Sequence, residues 1–192
     1  MIKTNPLSVK EIEKIANNFR EYFNVKKDEF FPVLEIIDKL FEEKALTYQI
    51  IEDNTDMLDE KTLAIYKPSE NFIYIKESVI NEYEDGIYRS TFTLCHELFH
   101  FIQNQILKFE FEEVNECKAY EEIDWQANEF AAQILIPSDF IDCDEEYLET
   151  TFHVSKECVL TRKVKCKKRS KKIAWHQAPC SFAYKAYLHS VC

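Results

Sequence analysis

The sequence predicts an α+β domain in which helices surround a small antiparallel sheet. Two segments near the start carry apolar residues at helical spacing, and two short β-branched runs follow in the middle. Two further helical segments come later, of which residues 92–102 are apolar on nearly every face. The 192 residues, 46% of them hydrophobic, are enough to build one core. We therefore expect one domain over residues 1–155, followed by a basic tail over residues 156–192.

Residues 7–45 are predicted to form a helical scaffold. The apolar stripe of the first helix is Ile12, Ile15, Ala16, Phe19 and Phe23. Ser8 precedes this stripe, where a serine hydroxyl can accept a hydrogen bond from the free amides of the first turn. A second helix follows Pro32, with Val33, Ile36, Ile37, Leu40 and Phe41 facing inward. Such stripes are far more often core than cofactor contacts.

Residues 46–80 are predicted to form the small sheet. The runs 62–66 and 72–75 are short, apolar and β-branched, and the polar segment 67–71 between them contains a proline. This pattern indicates a hairpin. An exposed edge of the hairpin would be able to bind a peptide through main-chain hydrogen bonds. A sheet that only packs against the helices is an equal alternative.

The segment His96-Glu97-Leu98-Phe99-His100 is the strongest chemical signal in the chain. On a helix, predicted over residues 90–106, residues four apart project from the same face, so two imidazoles would be able to bind one tetrahedral cation such as zinc. Glu97 lies one step around the helix, where a carboxylate can act as general base toward a water at the metal. The alternative is a half-buried helix whose two histidines have ordinary polar partners.

A second helix, predicted over residues 120–136, supplies the acidic third ligand that a two-histidine zinc site needs. Asp124 is the first candidate, and Glu121 and Glu122 on the preceding turn are fallback ligands. Asn128 lies one turn after Asp124, where its amide can hydrogen-bond to a ligand imidazole and fix the histidine tautomer.

These two helical segments resemble the ImmA/IrrE family of zinc metallopeptidases. Residues 89–100 read Arg-Ser-Thr-Phe-Thr-Leu-Cys-His-Glu-Leu-Phe-His, and residues 124–137 read Asp-Trp-Gln-Ala-Asn-Glu-Phe-Ala-Ala-Gln-Ile-Leu-Ile-Pro. The family pattern is Arg-x-x-Phe-Thr-x-x-His-Glu-Leu-Gly-His and then Glu-x-x-Ala-Asn-x-Phe-Ala-Ala-x-Leu-Leu-Met-Pro. Phe99 stands where the family has glycine, and Asp124 stands at the position of its glutamate ligand. The resemblance covers about residues 8–165.

The resemblance implies a zincin-like fold of the gluzincin type and an endopeptidase with one zinc per chain. It implies that His96, His100 and Asp124 hold the zinc and that Glu97 is the catalytic base. It also implies a cytoplasmic protein substrate, most typically a helix-turn-helix repressor of a mobile element or stress regulon. The ligand types alone do not select zinc, because imidazole and carboxylate also accept manganese or iron.

Peptide hydrolysis also needs a second donor to the developing oxyanion. The candidates for this donor are Tyr88, Arg89 and His153. Nothing in the sequence selects one of them or a preferred cleavage site.

The sequence is also compatible with two other functions. The first is a catalytically silent relative, acting by protein binding as an antirepressor or as a toxin–antitoxin partner, and it is motivated by Phe99 and Asp124. The second is a DNA-binding module that uses the basic tail. Residues 1–155 carry 34 acidic and 14 basic residues, a charge of −20, which argues against nucleic-acid binding across the main surface.

Composition excludes further classes of function. A single glycine, Gly86, cannot build a glycine-rich phosphate loop or a dinucleotide-binding turn. The sequence shows no signal region and no run of about 18 apolar residues that a membrane span needs, so a cytoplasmic protein without membrane contact is expected. The seven cysteines are accordingly expected to be free thiols.

The tail differs from the rest in charge, with one acidic and ten basic residues over 156–192. The resemblance ends at about Cys166, and the segment after it shows no clear period. A nucleic-acid-binding arm, a poorly ordered tail and a sequence altered by a shifted reading frame are the alternatives. We favour a tail without a function of its own.

Overall fold

A computed structural model describes residues 1–170, and it confirms the predicted α+β class. The helices are α1 (Val9–Tyr22), α2 (Val33–Glu42), α3 (Glu77–Glu84), α4 (Tyr88–Phe101), α5 (Ile123–Leu135), α6 (Glu145–Phe152) and α7 (Lys156–Ser170). The strands are β1 (Ile2–Thr4), β2 (Thr47–Ile51), β3 (Ala64–Lys67), β4 (Phe72–Lys76) and β5 (Phe111–Glu113). No helix within residues 1–170 is long and apolar enough to cross a membrane.

The N-terminal scaffold agrees with the sequence prediction. The Ser8 hydroxyl accepts a hydrogen bond from the Glu11 amide at 3.3 Å, and the Glu11 carboxylate accepts one from the Ser8 amide at 2.8 Å. This reciprocal pair caps the first turn of α1, which has few other partners for its free amides. The predicted apolar faces of α1 and α2 are buried in the core, except that Phe41 is exposed and Phe23 is only partly buried.

The predicted hairpin is formed by β3 and β4, which pair antiparallel. The sheet differs from the prediction in one respect, because β2 pairs with β4 in parallel and the strand order is β2-β4-β3. The chain leaves β2, passes through residues 52–63 and enters β3 on the far side of β4. Periodicity could not predict this arrangement because it identifies strands but not their partners. A second sheet pairs β1 with β5 antiparallel.

The single glycine sets the start of α4. Gly86 has a φ of +72° at the end of α3. Its amide donates to the Tyr83 carbonyl at 3.1 Å, and the Ile87 amide donates to the Glu82 carbonyl at 2.7 Å. These two bonds form a Schellman motif, in which a left-handed residue closes one helix. Because α4 begins two residues later, this turn determines the direction in which the histidine helix leaves.

We expect Gly86→Ala to lower the free energy of unfolding by about 1 kcal/mol, since a left-handed conformation disfavours a Cβ. A Cβ at this position would meet no atom within 4 Å, so the loss reflects backbone conformation alone. Urea denaturation measures the change. Gly86→Asn should lose less, because asparagine tolerates positive φ. Equal losses for the two variants would contradict this explanation.

α5 lies at the centre of the helical layer and packs against both α1 and α4. Phe130 of α5 stacks on Phe99 of α4, with ring centroids 4.5 Å apart. The buried Arg20 of α1 donates to the Ile134 carbonyl at 2.6 Å, near the C-terminal end of α5. A cation at this position is favourable because the last carbonyls of a helix carry partial negative charge. Burial lowers the pKa of Arg20 to about 10, which still leaves it charged at neutral pH.

α7 packs on the body through Val159 and Arg162, both fully buried. Residues 156–170, part of the basic segment, therefore form a helix that packs on the body through these two side chains. Predictions for the part of the tail beyond residue 170 lie outside the described residues. Five cysteines within residues 1–170 are free, as expected.

Candidate metal centre

α4 brings the two histidines together on one face. The Nε2 atoms of His96 and His100 are 3.0 Å apart, and the rings are nearly perpendicular. From the first turn of α5, Asp124 places Oδ1 3.4 Å from Nε2 of His100 and 3.8 Å from Nε2 of His96. The short alanines of α5 allow the two helices to approach closely. The structure therefore brings three donor atoms from two helices close to one point.

The donor set fits a divalent metal such as zinc. Two imidazole nitrogens and a carboxylate oxygen are three of the four positions of a tetrahedral catalytic site, which leaves one position open. The histidine side chains are 19% and 13% exposed, whereas that of Asp124 is 61% exposed. The centre is therefore buried on the α4 side and open to solvent on the Asp124 side, where a ligand or substrate has access.

Glu97 lies beside this centre and is held by the sheet. Its Oε2 accepts a hydrogen bond of 2.7 Å from the Tyr66 amide of β3, and its Oε1 is 4.0 Å from Nε2 of His96. Together with His96 and His100 it forms a group of potential metal-binding side chains whose ligand atoms lie within 4.8 Å of one another. Burial raises the pKa of Glu97 to about 7, which suits a group that must exchange protons at neutral pH.

The charges around the centre affect its two histidines differently. Burial, followed by the neighbouring His100, lowers the pKa of His96 to about 4, so this imidazole is neutral at physiological pH. Burial also acts to lower the pKa of His100, but the hydrogen bond to Asp124 and the charge of Glu97 outweigh it and raise that pKa. The hydrogen bond to His100 in turn lowers the pKa of Asp124, which keeps this carboxylate ionised.

Each histidine has an amide oxygen beside its Nδ1 atom. Asn128 Oδ1 lies 3.2 Å from Nδ1 of His96. Gln103 Oε1 lies 3.0 Å from Nδ1 of His100, and the sequence reasoning missed this residue. It is the first of three consecutive polar residues, 103–105, that follow the apolar run ending at Ile102, and nothing in the sequence distinguished it from a surface position.

The other predicted site residues lie elsewhere. The Glu122 carboxylate caps α5 by accepting the Trp125 amide, and the Glu121 carboxylate accepts the Lys118 amide. Both fallback ligands are thus used in local turns. His153, a predicted oxyanion donor, stacks on Phe30 with ring centroids 4.8 Å apart.

A groove of about 880 Å³ opens beside the centre, between the N-terminal half of α4, α5 and α7. Asn128, the partner of His96, lines it, and so do Tyr88 and Arg89. These two candidate oxyanion donors therefore face a space that adjoins the centre. Phe99 has its ring buried against Phe130, so it fills the interface between α4 and α5.

Comparison with known proteins gives one family. A family model described as the IrrE N-terminal-like domain, a peptidase family, matches residues 54–163. The match includes the hairpin, both histidines, Glu97 and Asp124. No curated protein matches the chain in sequence.

Solved structures give a more distant similarity. One, described as a Mycobacterium tuberculosis transcriptional regulator, is similar over 80% of this chain and 46% of its own, with a TM-score of 0.52 and 14% identity. This chain thus spans about half of that structure, and at this identity the similarity concerns the fold alone.

Proposed function

The chain belongs to the IrrE N-terminal-like domain family of peptidases, and from this premise we propose that it is a zinc-dependent endopeptidase. The observation that carries the proposal is the convergence of His96, His100 and Asp124 on one point, with the Glu97 carboxylate beside it. When bound there, zinc would supply a Lewis acid that polarises the scissile carbonyl and makes a water more acidic.

In this proposal three residues bind the zinc and a fourth transfers protons. His96, His100 and Asp124 hold one zinc per chain. Glu97 accepts a proton from the attacking water through a carboxylate oxygen and donates it to the leaving amine. The Tyr66 amide keeps Glu97 in place, because its hydrogen bond occupies Oε2 and directs Oε1 toward the centre.

The substrate would approach along the sheet. β3 is an edge strand, and its Tyr66 amide points to Glu97 and not to β4. An extended peptide placed along this edge would have its backbone oriented by main-chain hydrogen bonds, with its scissile bond close to Glu97. The groove lined by Tyr88 and Arg89 would accept part of the same peptide, and either side chain could donate to the oxyanion.

We further propose that the substrate is a DNA-binding repressor in the cytoplasm, of the helix-turn-helix class. The support is the family resemblance, together with the structural similarity to a transcriptional regulator. Cleavage of such a repressor would release transcription of a mobile element or stress regulon. The acidic surface of residues 1–155 supports recognition of a protein, because direct binding of nucleic acid would be opposed by charge.

The experiment is digestion of a peptide library derived from helix-turn-helix repressors, with the products read by mass spectrometry. We expect discrete cleavage in the presence of zinc and none after chelation. Control samples carry Glu97→Gln, which leaves the ligand set intact. Cleavage that persists in the variant would identify a contaminating protease and contradict the assignment.

The alternative of a silent binding protein was motivated by Phe99 and Asp124. Phe99 packs on Phe130 in the core, and the Asp124 carboxylate approaches both histidines within 3.8 Å. These positions support the catalytic proposal over the silent one. If the protein instead acted only by binding a partner protein, substitution of the metal ligands would leave its biological effect unchanged.

Zinc affinity should depend on pH through His100. Its raised pKa means that a proton competes with the metal up to a higher pH than at an ordinary histidine, whereas His96, with a pKa of about 4, is already neutral. Below the pKa of His100, affinity should fall by about tenfold per pH unit, and above it the dependence should disappear. Competition with a chromophoric chelator between pH 8 and pH 5.5 measures this. A constant affinity over that range would contradict the prediction.

A further inference from the structure

A chain of buried amides continues inward from His100. Gln103 Oε1 faces Nδ1 of His100 at 3.0 Å, and Gln103 Nε2 donates to Gln126 Oε1 at 2.8 Å. Gln126 Nε2 then donates to the backbone carbonyls of Asn5 and Tyr120, both at 2.8 Å. Both glutamines are completely buried, so neither amide can exchange these partners for water.

The two carbonyls fix the direction of every bond in this chain. A backbone carbonyl can only accept, so Gln126 has to present its nitrogen to Asn5 and Tyr120. Its oxygen is therefore left to accept from Gln103. Gln103 then has to donate with its nitrogen, and only its oxygen remains to face His100. Turning either amide around would place two oxygens or two nitrogens against each other in a buried site, at a cost of about 1–3 kcal/mol.

We infer that Gln103 and Gln126 form an amide relay that fixes the tautomer of His100. Because Gln103 presents an oxygen, Nδ1 of His100 has to carry the proton and donate it. Nε2, whose proton Asp124 accepts in the absence of metal, is then the ring nitrogen left for a metal at the point where Nε2 of His96 and Oδ1 of Asp124 converge. The relay therefore leaves Nε2, and not Nδ1, to face a metal, and it makes Gln103 and Gln126 positioning residues.

The backbone supports this role. α4 continues after Phe101 as a π-helical turn, Ile102–Ile106, closed by the Leu107 amide donating to the Ile102 carbonyl at 2.8 Å. Gln103 lies at the start of this wider turn, and such turns are frequent at functional sites. The far end of the relay is anchored where the N-terminal segment meets the residues before α5, since the Leu7 amide also donates to the Tyr120 carbonyl at 3.0 Å.

The inference rests on the proposed metal centre, but its first test needs no metal. In metal-free protein at pH 8.5, nitrogen-detected NMR of the His100 ring should show that Nδ1 is protonated, whether or not Nε2 also carries the proton that Asp124 accepts. Gln103→Leu should lose this preference, and Gln126→Leu should weaken it, because the Gln103 amide can then turn. Gln133→Leu is the matched control, since it removes a buried glutamine of α5 whose partners are Glu129, Ser138 and Arg162 and not the relay. Its zinc affinity is compared at a denaturant-free condition in which circular dichroism shows it folded.

The second readout is zinc affinity, measured by competition with a chelator. Gln103→Leu should bind zinc about 10–100-fold more weakly than the wild type, as is usual when the partner of a ligand histidine is removed. Gln133→Leu should change the affinity less than twofold. If Gln103→Leu does not fold, the wild-type tautomer and Gln126→Leu decide the question.

The outcomes separate the relay from the proposed function. A wild-type His100 whose Nδ1 carries no proton would overturn the relay, whether or not the protein binds zinc. Zinc binding by the wild type with unchanged affinity and tautomer in Gln103→Leu would also overturn it. A wild type with the proton on Nδ1 but no affinity for zinc would support the relay and contradict the proposed function.

Discussion

Glu97→Gln should reduce peptide hydrolysis by about a thousandfold, since a positioned general base contributes on the order of 10²–10⁴ to the rate. The amide oxygen of the new side chain can still accept the Tyr66 amide, so the helix and the sheet should stay in place. What disappears is a group with a pKa of about 7 that can take a proton from water and return it. The measurement is kcat/KM on a peptide found in the library experiment.

The control for this variant is Glu110→Gln, an exposed acid of the connection between α4 and α5. It should leave kcat/KM within about twofold, because a single surface charge is screened by solvent. Zinc content should be the same in both variants. A Glu97→Gln protein with full zinc and undiminished activity would show that another residue is the base.

Arg162→Met should lower the free energy of unfolding by about 3–5 kcal/mol, because it leaves a buried carboxylate without its cation. Nη1 of Arg162 lies 3.6 Å from Glu129 Oε1, and both side chains are 1% exposed. The same guanidinium donates to the Ser138 hydroxyl at 3.0 Å and to the Ile136 carbonyl at 3.4 Å. It thus ties α7 to the C-terminal end of α5, the helix that carries Asp124. Chemical denaturation gives the loss.

Two variants test the physical reason for this loss. Combining Arg162→Met with Glu129→Gln should recover part of the stability, because the buried negative charge is removed as well. Lys156→Met, at an exposed position in the first turn of α7, should change stability by less than about 0.5 kcal/mol. A double variant less stable than Arg162→Met would indicate that packing, and not the unpaired charge, explains the effect.

Local geometry explains why the sequence predicts these side chains at one site. The spacing of His96 and His100 determines a shared helix face, and the run that follows Asp124 determines a helix apolar enough to pack against it. Asn128 followed from its position one turn after Asp124. In each case a periodic pattern within one helix was sufficient, and the hydrophobic effect then brought the two helices together.

The missed residues depend on contacts that periodicity does not describe. Gln103 and Gln126 are partners across two helices, and the bonds that orient them end on the carbonyls of Asn5 and Tyr120, far away in sequence. Arg162 resembles any basic surface residue until its buried partner Glu129 is known. Whether a polar side chain is buried depends on which groups it hydrogen-bonds to in the folded protein. A single sequence does not show those contacts.

The parallel pairing of β2 with β4 was missed for a related reason. Strand patterns show which faces are buried, but the order of strands depends on where each connection crosses the sheet. The twelve residues between β2 and β3 contain acidic and turn-forming residues in no regular pattern. They are long enough to reach either edge, so the sequence left the order open.

The most direct test of the account is the metal content of the purified protein, measured by plasma mass spectrometry without added metal. The wild type should contain about one zinc per chain, and His100→Ala and Asp124→Ala should each lose it while remaining folded by circular dichroism. Glu122→Ala, at the neighbouring cap of α5, should keep its zinc. A well-folded wild type without zinc would contradict the assignment of a metallopeptidase and direct attention to protein binding.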